Sequence, residues 1–223
     1  MTDRVVAFVH AKGTSDRVVG KNLRQLGDKP LFCHAIENAR RAAGVDCVVI
    51  DSDSDEILEI GARHGARPLK RPAALASNRT SGDALAFWQA SNHPESSIVL
   101  QVIPTAPFLK PPTITAAIEL IDTANVDSVV GTFSDVFYRW ENGRPAYYRE
   151  DGSLPNSSDL RPVVYETTGL YVNRTKAVLD GKRRMNPESC APIGVSRLEA
   201  IDINTEEDFA FAQIVWKGLE RTS

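Results

Sequence analysis

Residues 5–22 read VVAFVHAKGTSDRVVGKN: an apolar run, a histidine, and then a loop of small and basic side chains. So short a continuous apolar run fits a strand covered on both faces, since a strand with one wet face alternates polar and apolar residues. Beyond it, Ala11, Gly13, Thr14 and Ser15 are small enough for backbone N–H groups to converge on an anion, while Lys12, Arg17 and Lys21 add positive charge. The same residues suit a solvated strand-to-helix loop, so spacing alone leaves both readings open. The segment is not a Walker loop: six residues separate Gly13 from Gly20, and Asn22 follows Lys21 where Ser or Thr is required.

Outward from this strand, apolar runs and helical periods alternate. Strand-like runs lie at 47–50, 98–103 and 128–131, and helix-like periods at 31–43, 56–64 and 113–124. This alternation predicts an α/β fold with a mainly parallel, Rossmann-like sheet and helices on both faces. The rhythm breaks after residue 134, where Asn142 and Gly143 separate two aromatic runs, the signature of a hairpin with a primed turn. Residues 135–165 are therefore read as an insertion in a single domain. GLYVN (169–173) returns to a strand, and TEEDFAFAQIVWKGLE (205–220) reads as an amphipathic helix with acids in its first turn.

Of 223 residues, 42% are hydrophobic and 25% charged, with 26 Lys plus Arg against 29 Asp plus Glu. A net charge of -3 gives no basic excess for nucleic acid or a membrane surface, so a small-molecule substrate is expected. Cys33, Cys47 and Cys190 show neither metal-ligand spacing nor an even count, and the first apolar run is too short for a signal or a span. The expected compartment is the cytoplasm. The four histidines show no triad spacing to a serine; His34 and His64 read as helix-surface residues, and His10 ends the first strand at the candidate site.

Three further segments carry chemistry. KRPAALASNRTSGDAL (70–85) places Arg71 and Ser81 within reach of a base or ribose, or forms a surface loop whose Ser81 caps a helix beginning at Gly82. LQVIPTAPFLKP (100–111) ends a strand with Gln101 and Ile103 on one face. IDINTEEDF (201–209) sets Asp202 and Asn204 two apart at an apolar strand end as oxygen ligands for Mg²⁺, or else caps a helix through Asn204 with Glu207 or Thr205 with Asp208.

Together and in order, these segments resemble the acylneuraminate cytidylyltransferase family, which loads CMP onto 3-deoxy-2-ulosonic acids such as sialic acids. The family pattern ARxxSKGxxxKNL is AKGTSDRVVGKNL here, with Lys12 in place of arginine and Asp16 in place of lysine. RPAELAxDxxSS is RPAALASNRTSG, QPTSPL is IPTAPF, and DIDTxED is DINTEED. RxQxLPxxYxxNGAIY is NSSDLRPVVYETTGLY, which keeps Leu160, Pro162, Glu166 and Tyr171 but loses the arginine and glutamine.

The resemblance implies that Ala11 to Asn22 wrap the triphosphate of CTP, with Lys21 and Lys12 catalytic through charge neutralisation and Asn22 near the ribose. Arg71 and Ser81 then meet the base and sugar side. Gln101, Ile103, Glu166 and Tyr171 face the acceptor, and Asp202 with Asn204 holds Mg²⁺. Ile103 stands where a glutamine contacts the sugar, so Gln101 is the candidate substitute, and a different acceptor or nucleotide is the alternative. A nucleotide-binding relative without turnover is another. By the same resemblance the aromatic hairpin insertion pairs two subunits into a homodimer; the alternative is a local cap over the chain's own core. As a loop charge, Lys21 is expected to contribute little to the core.

Overall fold

The computed structural model describes residues 4–15, 17–77, 79–148 and 151–221. The opening apolar run is β1 (Val5–His10). Its alternate side chains enter different cores, Val5, Ala7 and Val9 on one side and Val6 and Phe8 on the other. A short excursion through β2 (Gln25–Leu26) and β3 (Lys29–Pro30) leads to α1 (Leu31–Arg41), β4 (Cys47–Ser52), α2 (Asp55–Arg63) and β5 (Arg67–Lys70). The chain then crosses through α3 (Gly82–Ser91) to β6 (Ile98–Val102), α4 (Pro111–Thr123) and β7 (Ser128–Asp135). Next come β8 (Trp140–Glu141), β9 (Arg144–Pro145), β10 (Val163–Arg174), α5 (Thr175–Gly181), β11 (Cys190–Gly194) and α6 (Glu206–Glu220).

The main sheet has the order β11-β7-β10-β6-β1-β4-β5, and β10 alone runs antiparallel to its neighbours. The expected mainly parallel sheet is thus present, with α1, α2 and α4 on one face and α3 and α5 on the other. Strand order reverses at β1, where the chain adds β4 and β5 to one side before β6 forms on the other. Open α/β sheets bind ligands at the carboxyl ends of the strands flanking such a reversal.

A third core carries the carboxyl-terminal segment back to this end. Leu26, Leu31, Phe108, Ile203, Phe209 and Ala212 are buried together, with Trp216 packed against them. Gly27, at φ +66°, lies under the Trp216 indole; a Cβ there would come within 2.0 Å of its Nε1. His34, expected on a helix surface, is buried instead: its Nε2 lies 2.8 Å from the Leu26 carbonyl and its ring meets Trp216 edge-on. The helical period could not reveal this, because the partner is α6.

Two other expectations change. Residues 201–204 form irregular chain, not a strand end. The capping device is real and belongs to Thr205 and Asp208, whose side chains bond reciprocally to each other's backbone N–H. The Asn-Gly hairpin has the expected form, with Asn142 and Gly143 at φ 51° and 76° between β8 and β9, in a two-stranded sheet of its own.

Gly27→Ala should destabilise the protein by about 2–4 kcal/mol, since a left-handed alanine costs about 1 kcal/mol or more and the methyl must displace a core indole. Urea denaturation monitored by Trp fluorescence measures this; an unchanged midpoint would mean that α6 is not held as described.

Candidate functional site

A cleft in two lobes opens at the carboxyl ends of β1, β4 and β6. The larger lobe, about 460 Å³, is walled by Lys12, Thr14, Ser15, Arg17, Lys21 and Asn22 from the loop after β1, and by Ile103, Pro104 and Thr105 after β6. The smaller, about 170 Å³, lies between Arg71, Leu75, Ser77, Thr80, Ser81, Gly82, Leu85 and Arg184. His10 and Lys12 line both lobes, which places them at the junction. A larger cavity of about 570 Å³ opens at the opposite end of β7 and β10, beside α5, and contains none of the expected site residues.

The loop after β1 is braced from within. Ala11 N donates to the Asp51 carbonyl at 3.0 Å, Gly13 N to Asp53 Oδ1 at 3.0 Å, and Asn22 Nδ2 to the Lys12 carbonyl at 2.9 Å. The Gly13 amide, expected to face an anion, is therefore committed to a carboxylate, and the Asn22 amide nitrogen to the loop itself. Thr14 and Ser15 face the larger lobe. Asp16 lies outside the described residues.

Lys21 departs furthest from expectation. It is 8% exposed, and its Nζ donates to the Ile203 carbonyl at 2.7 Å, joining the loop after β1 to the segment between Asp202 and Asn204. Burial lowers its pKa from the ordinary lysine value, against the opposing pull of the Asp202 carboxylate. A cation that sequence suggested was a peripheral loop charge thus clamps two distant segments together.

Beside Lys21, Asp202 Oδ2 accepts from the Asn204 amide and lies 3.5 Å from Thr168 Oγ1, while its Oδ1 is buried without a partner. Asn204 turns its amide nitrogen to Asp202 and so acts as a supporting donor to that carboxylate. No group of three or more His, Cys, Asp or Glu clusters as a metal cage among the described residues. The unpartnered Oδ1 fits a Mg²⁺ ion held by one carboxylate with the substrate's phosphates, the usual form of such sites. Thr168, a β-branched residue at φ 57°, belongs to a bulge in which residues 167–170 of β10 stand opposite Gly131 alone, and this carries the strand toward Asp202.

Arg71 is 3% exposed and tied to Asp51, Nε to Oδ1 at 2.6 Å and Nη2 to the Asp51 carbonyl at 3.0 Å. Gln89 Nε2 donates to Asp51 Oδ2 at 2.6 Å, and Gln101 Nε2 to Gln89 Oε1 at 2.6 Å. Burial raises the Asp51 pKa despite Arg71, so this chain of side chains holds a costly carboxylate at the floor of the cleft. Only the remaining edge of Arg71 faces the smaller lobe. Gln101, the candidate substitute for the glutamine missing at 103, lies beneath the floor in this chain and lines neither lobe. Ile103 does line the cleft, beside His10. Ser81 caps α3, accepting from Ala84 N at 3.1 Å, and walls the smaller lobe as well. The capping reading of Ser81 thus holds, and the same residue borders the cavity.

Tyr171 is buried on β10 opposite Gln101, its hydroxyl donating to Glu166 across the bulge. Burial, then that bond, pushes its pKa to about 12. His10 is held well below the ordinary histidine value by burial, with Arg71 and Arg184 adding to the effect, so its ring is neutral at pH 7.

The chain matches the cytidylyltransferase family model over residues 6–180. It belongs to that family. It is 27% identical to the pseudaminic acid cytidylyltransferase of Campylobacter jejuni, over 95% of this chain and 96% of that protein. It is 30% identical to the CMP-N,N'-diacetyllegionaminic acid synthase of Legionella pneumophila, over 94% of this chain and 95% of that one. Among solved structures, the CMP:2-keto-3-deoxy-manno-octonic acid synthetase complexed with CTP superposes with a TM-score of 0.72, at 15% identity and covering 96% of this chain and 99% of that chain. The 4-diphosphocytidyl-2C-methyl-D-erythritol synthase of Anaerococcus prevotii gives 0.69 at 14% identity, over 96% of each chain. These two show the shared nucleotidyltransferase fold.

Sequence reasoning missed Asp51, Gln89 and Arg184 in this cytidylyltransferase. Asp51 carried a legible signal, an acid closing the apolar run CVVI. Gln89 and Arg184 carried none, because helix packing and a loop bring them to the site.

Lys21→Met keeps the apolar stem but removes the donor to Ile203, so it should cost about 1–3 kcal/mol of stability. Hydrogen exchange over residues 198–210 should rise with it; unchanged exchange there would show that Lys21 does not tether the segment.

Proposed function

We propose that this cytidylyltransferase transfers CMP from CTP to the anomeric hydroxyl of a 3-deoxy-2-ulosonic, sialic-acid-like sugar acid with release of pyrophosphate. The observation that carries the reading is the buried Lys21 to Ile203 bond, which sets the cationic loop after β1 against the unpartnered oxygen of Asp202. The named activities of the relatives from Campylobacter jejuni and Legionella pneumophila support the substrate class.

In this reading the residues from Ala11 to Asn22 wrap the triphosphate in the larger lobe, and the nucleoside lies along the Arg71 and Ser81 side of the smaller lobe, opposite Arg184. Lys12 and Lys21 stabilise charge on the nonreacting and leaving oxygens as the hydroxyl attacks the α-phosphorus in line. Asp202 would hold Mg²⁺, with Asn204 orienting the carboxylate; when bound, the ion would supply charge neutralisation across the phosphates. Neutral His10 at the junction of the lobes adds no further positive charge to Lys12, Arg17 and Lys21. No protein nucleophile is required. Ile103 offers the acceptor an apolar contact, which favours an acid whose substituent at that point is not a hydrogen-bonding group. The free thiols of Cys33, Cys47 and Cys190 support a reducing, cytoplasmic location.

The hairpin insertion supports a homodimer. Phe137, Tyr138, Trp140 and Tyr148 are 44%, 43%, 65% and 47% exposed, an apolar surface that a second copy of the same arm would cover.

Pyrophosphate release should depend on CTP among the four ribonucleoside triphosphates, on a 3-deoxy-2-ulosonic acid and on Mg²⁺. Asp202→Ala should lower turnover by about a hundredfold, the scale of losing one electrostatic contact in the transition state. Release with another nucleotide and not CTP, or a metal titration unaltered by Asp202→Ala, would overturn the respective assignment. Light scattering should give twice the chain mass for the wild type and a single chain mass for Phe137→Ser/Trp140→Ser; a monomeric wild type would exclude the dimer.

A further inference from the structure

Arg184 occupies the smaller lobe by a construction that neither its position in the sequence nor the family motifs signal. It follows α5 in a loop that Lys182 turns at φ 51°. Its backbone N–H donates to Asp83 Oδ1 at 2.8 Å, which pins the loop to the first turn of α3. The guanidinium then lies over the Tyr171 ring, Cζ 4.4 Å from the centroid. Gly82 permits this approach: a Cβ there would stand 2.4 Å from Cζ.

Two features distinguish this cation from Arg71 across the lobe. Arg71 is committed to Asp51, whereas no carboxylate side chain among the described residues forms an ion pair with Arg184. The Arg184 Nε is buried without a hydrogen-bond partner. A positioned guanidinium, with its charge unmatched and a buried donor unfilled, calls for an anionic ligand.

We infer that Arg184 is the anchor for the carboxylate of the acceptor, an inference that rests on the proposed transfer to a sugar acid. The triphosphate already has Lys12, Arg17 and Lys21 in the larger lobe. The acceptor's carboxylate adjoins its anomeric hydroxyl, so both must lie near the junction marked by His10 and Lys12, which also border the lobe that Arg184 lines. A planar guanidinium held flat against a tyrosine suits a planar carboxylate, which it can meet with two parallel N–H donors. Tyr171, tied to Glu166, is the shelf that sets its plane. Arg184 is thus a specificity-determining residue, selecting acceptors that carry an acid beside the attacking hydroxyl.

The test is steady-state pyrophosphate release by Arg184→Met and Arg184→Lys, with thermal melts to verify folding. Arg184→Met should raise the acceptor KM about ten- to a hundredfold, the scale of one charged hydrogen bond, and leave the KM for CTP unchanged. Arg184→Lys should recover only part of the loss. The carboxamide analogue of the acceptor should be poor for the wild type and no poorer for Arg184→Met. A raised KM for CTP with an unchanged acceptor KM would assign Arg184 to the nucleotide and overturn the inference, as would no change in either. A melt lowered in Arg184→Met but not in Arg184→Lys shifts the decision to the lysine variant, which must then show the acceptor effect. Failure of the wild type to turn over any sugar acid would overturn the proposed function itself, an outcome separate from these.

Discussion

A single buried hydrogen bond, from the Lys21 ammonium to the Ile203 carbonyl, joins parts of the chain 182 positions apart. Around it the third core closes, with α6 laid against β2 and the start of α1, and Phe209 under the Arg24 guanidinium at 3.9 Å. Desolvating an ammonium is unfavourable, as the direction of its pKa shift records. The fold sustains that cost because the carbonyl and the nearby Asp202 carboxylate replace part of the lost hydration. Placement of the cation and placement of the carboxylate are therefore one structural event.

The floor of the cleft repeats the pattern. Asp51 is fully buried, and Arg71, Gln89 and Gln101 link β4, the segment after β5, α3 and β6 through it. Such a network is unforgiving, since removing one member strands the next without a partner. Its service is rigidity beneath the ligand. Among the described residues, buried side-chain polar atoms without partners occur at His10 and Arg184, which line the cleft, at Gln101 beneath it, at Asp202 beside Lys21, and otherwise only at Ser153. The polar demand of the molecule is concentrated where a charged substrate would meet it.

Much of this architecture was legible because it is periodic or local. VVAFV, CVVI and the run at 98–103 have the composition of two-sided strands, Asn142-Gly143 encodes its own turn, and Thr205 with Asp208 encodes the cap of α6. The motif residues did converge on one end of the sheet. What stayed hidden was long-range. The burial of Lys21 and His34 depends on α6, which returns from the far end of the sequence. Arg71 looked like a ligand group because nothing local reveals Asp51 as its partner. Asp202 and Asn204 sit on irregular chain after Leu198, since their shape comes from Lys21, Thr105 and Asp208 and not from strand pairing.

The α6 clamp also bears on the order in which the molecule can become competent during synthesis. The cationic loop leaves the ribosome early, whereas the carbonyl that seats its lysine is made almost two hundred residues later. A nascent chain can assemble much of the sheet, since domains fold progressively as they emerge, yet its cleft stays unlatched until the final helix docks. Closure of the cleft thereby waits on residues made after every strand of the main sheet, and a chain lacking Ile203 leaves the Lys21 ammonium without its seat.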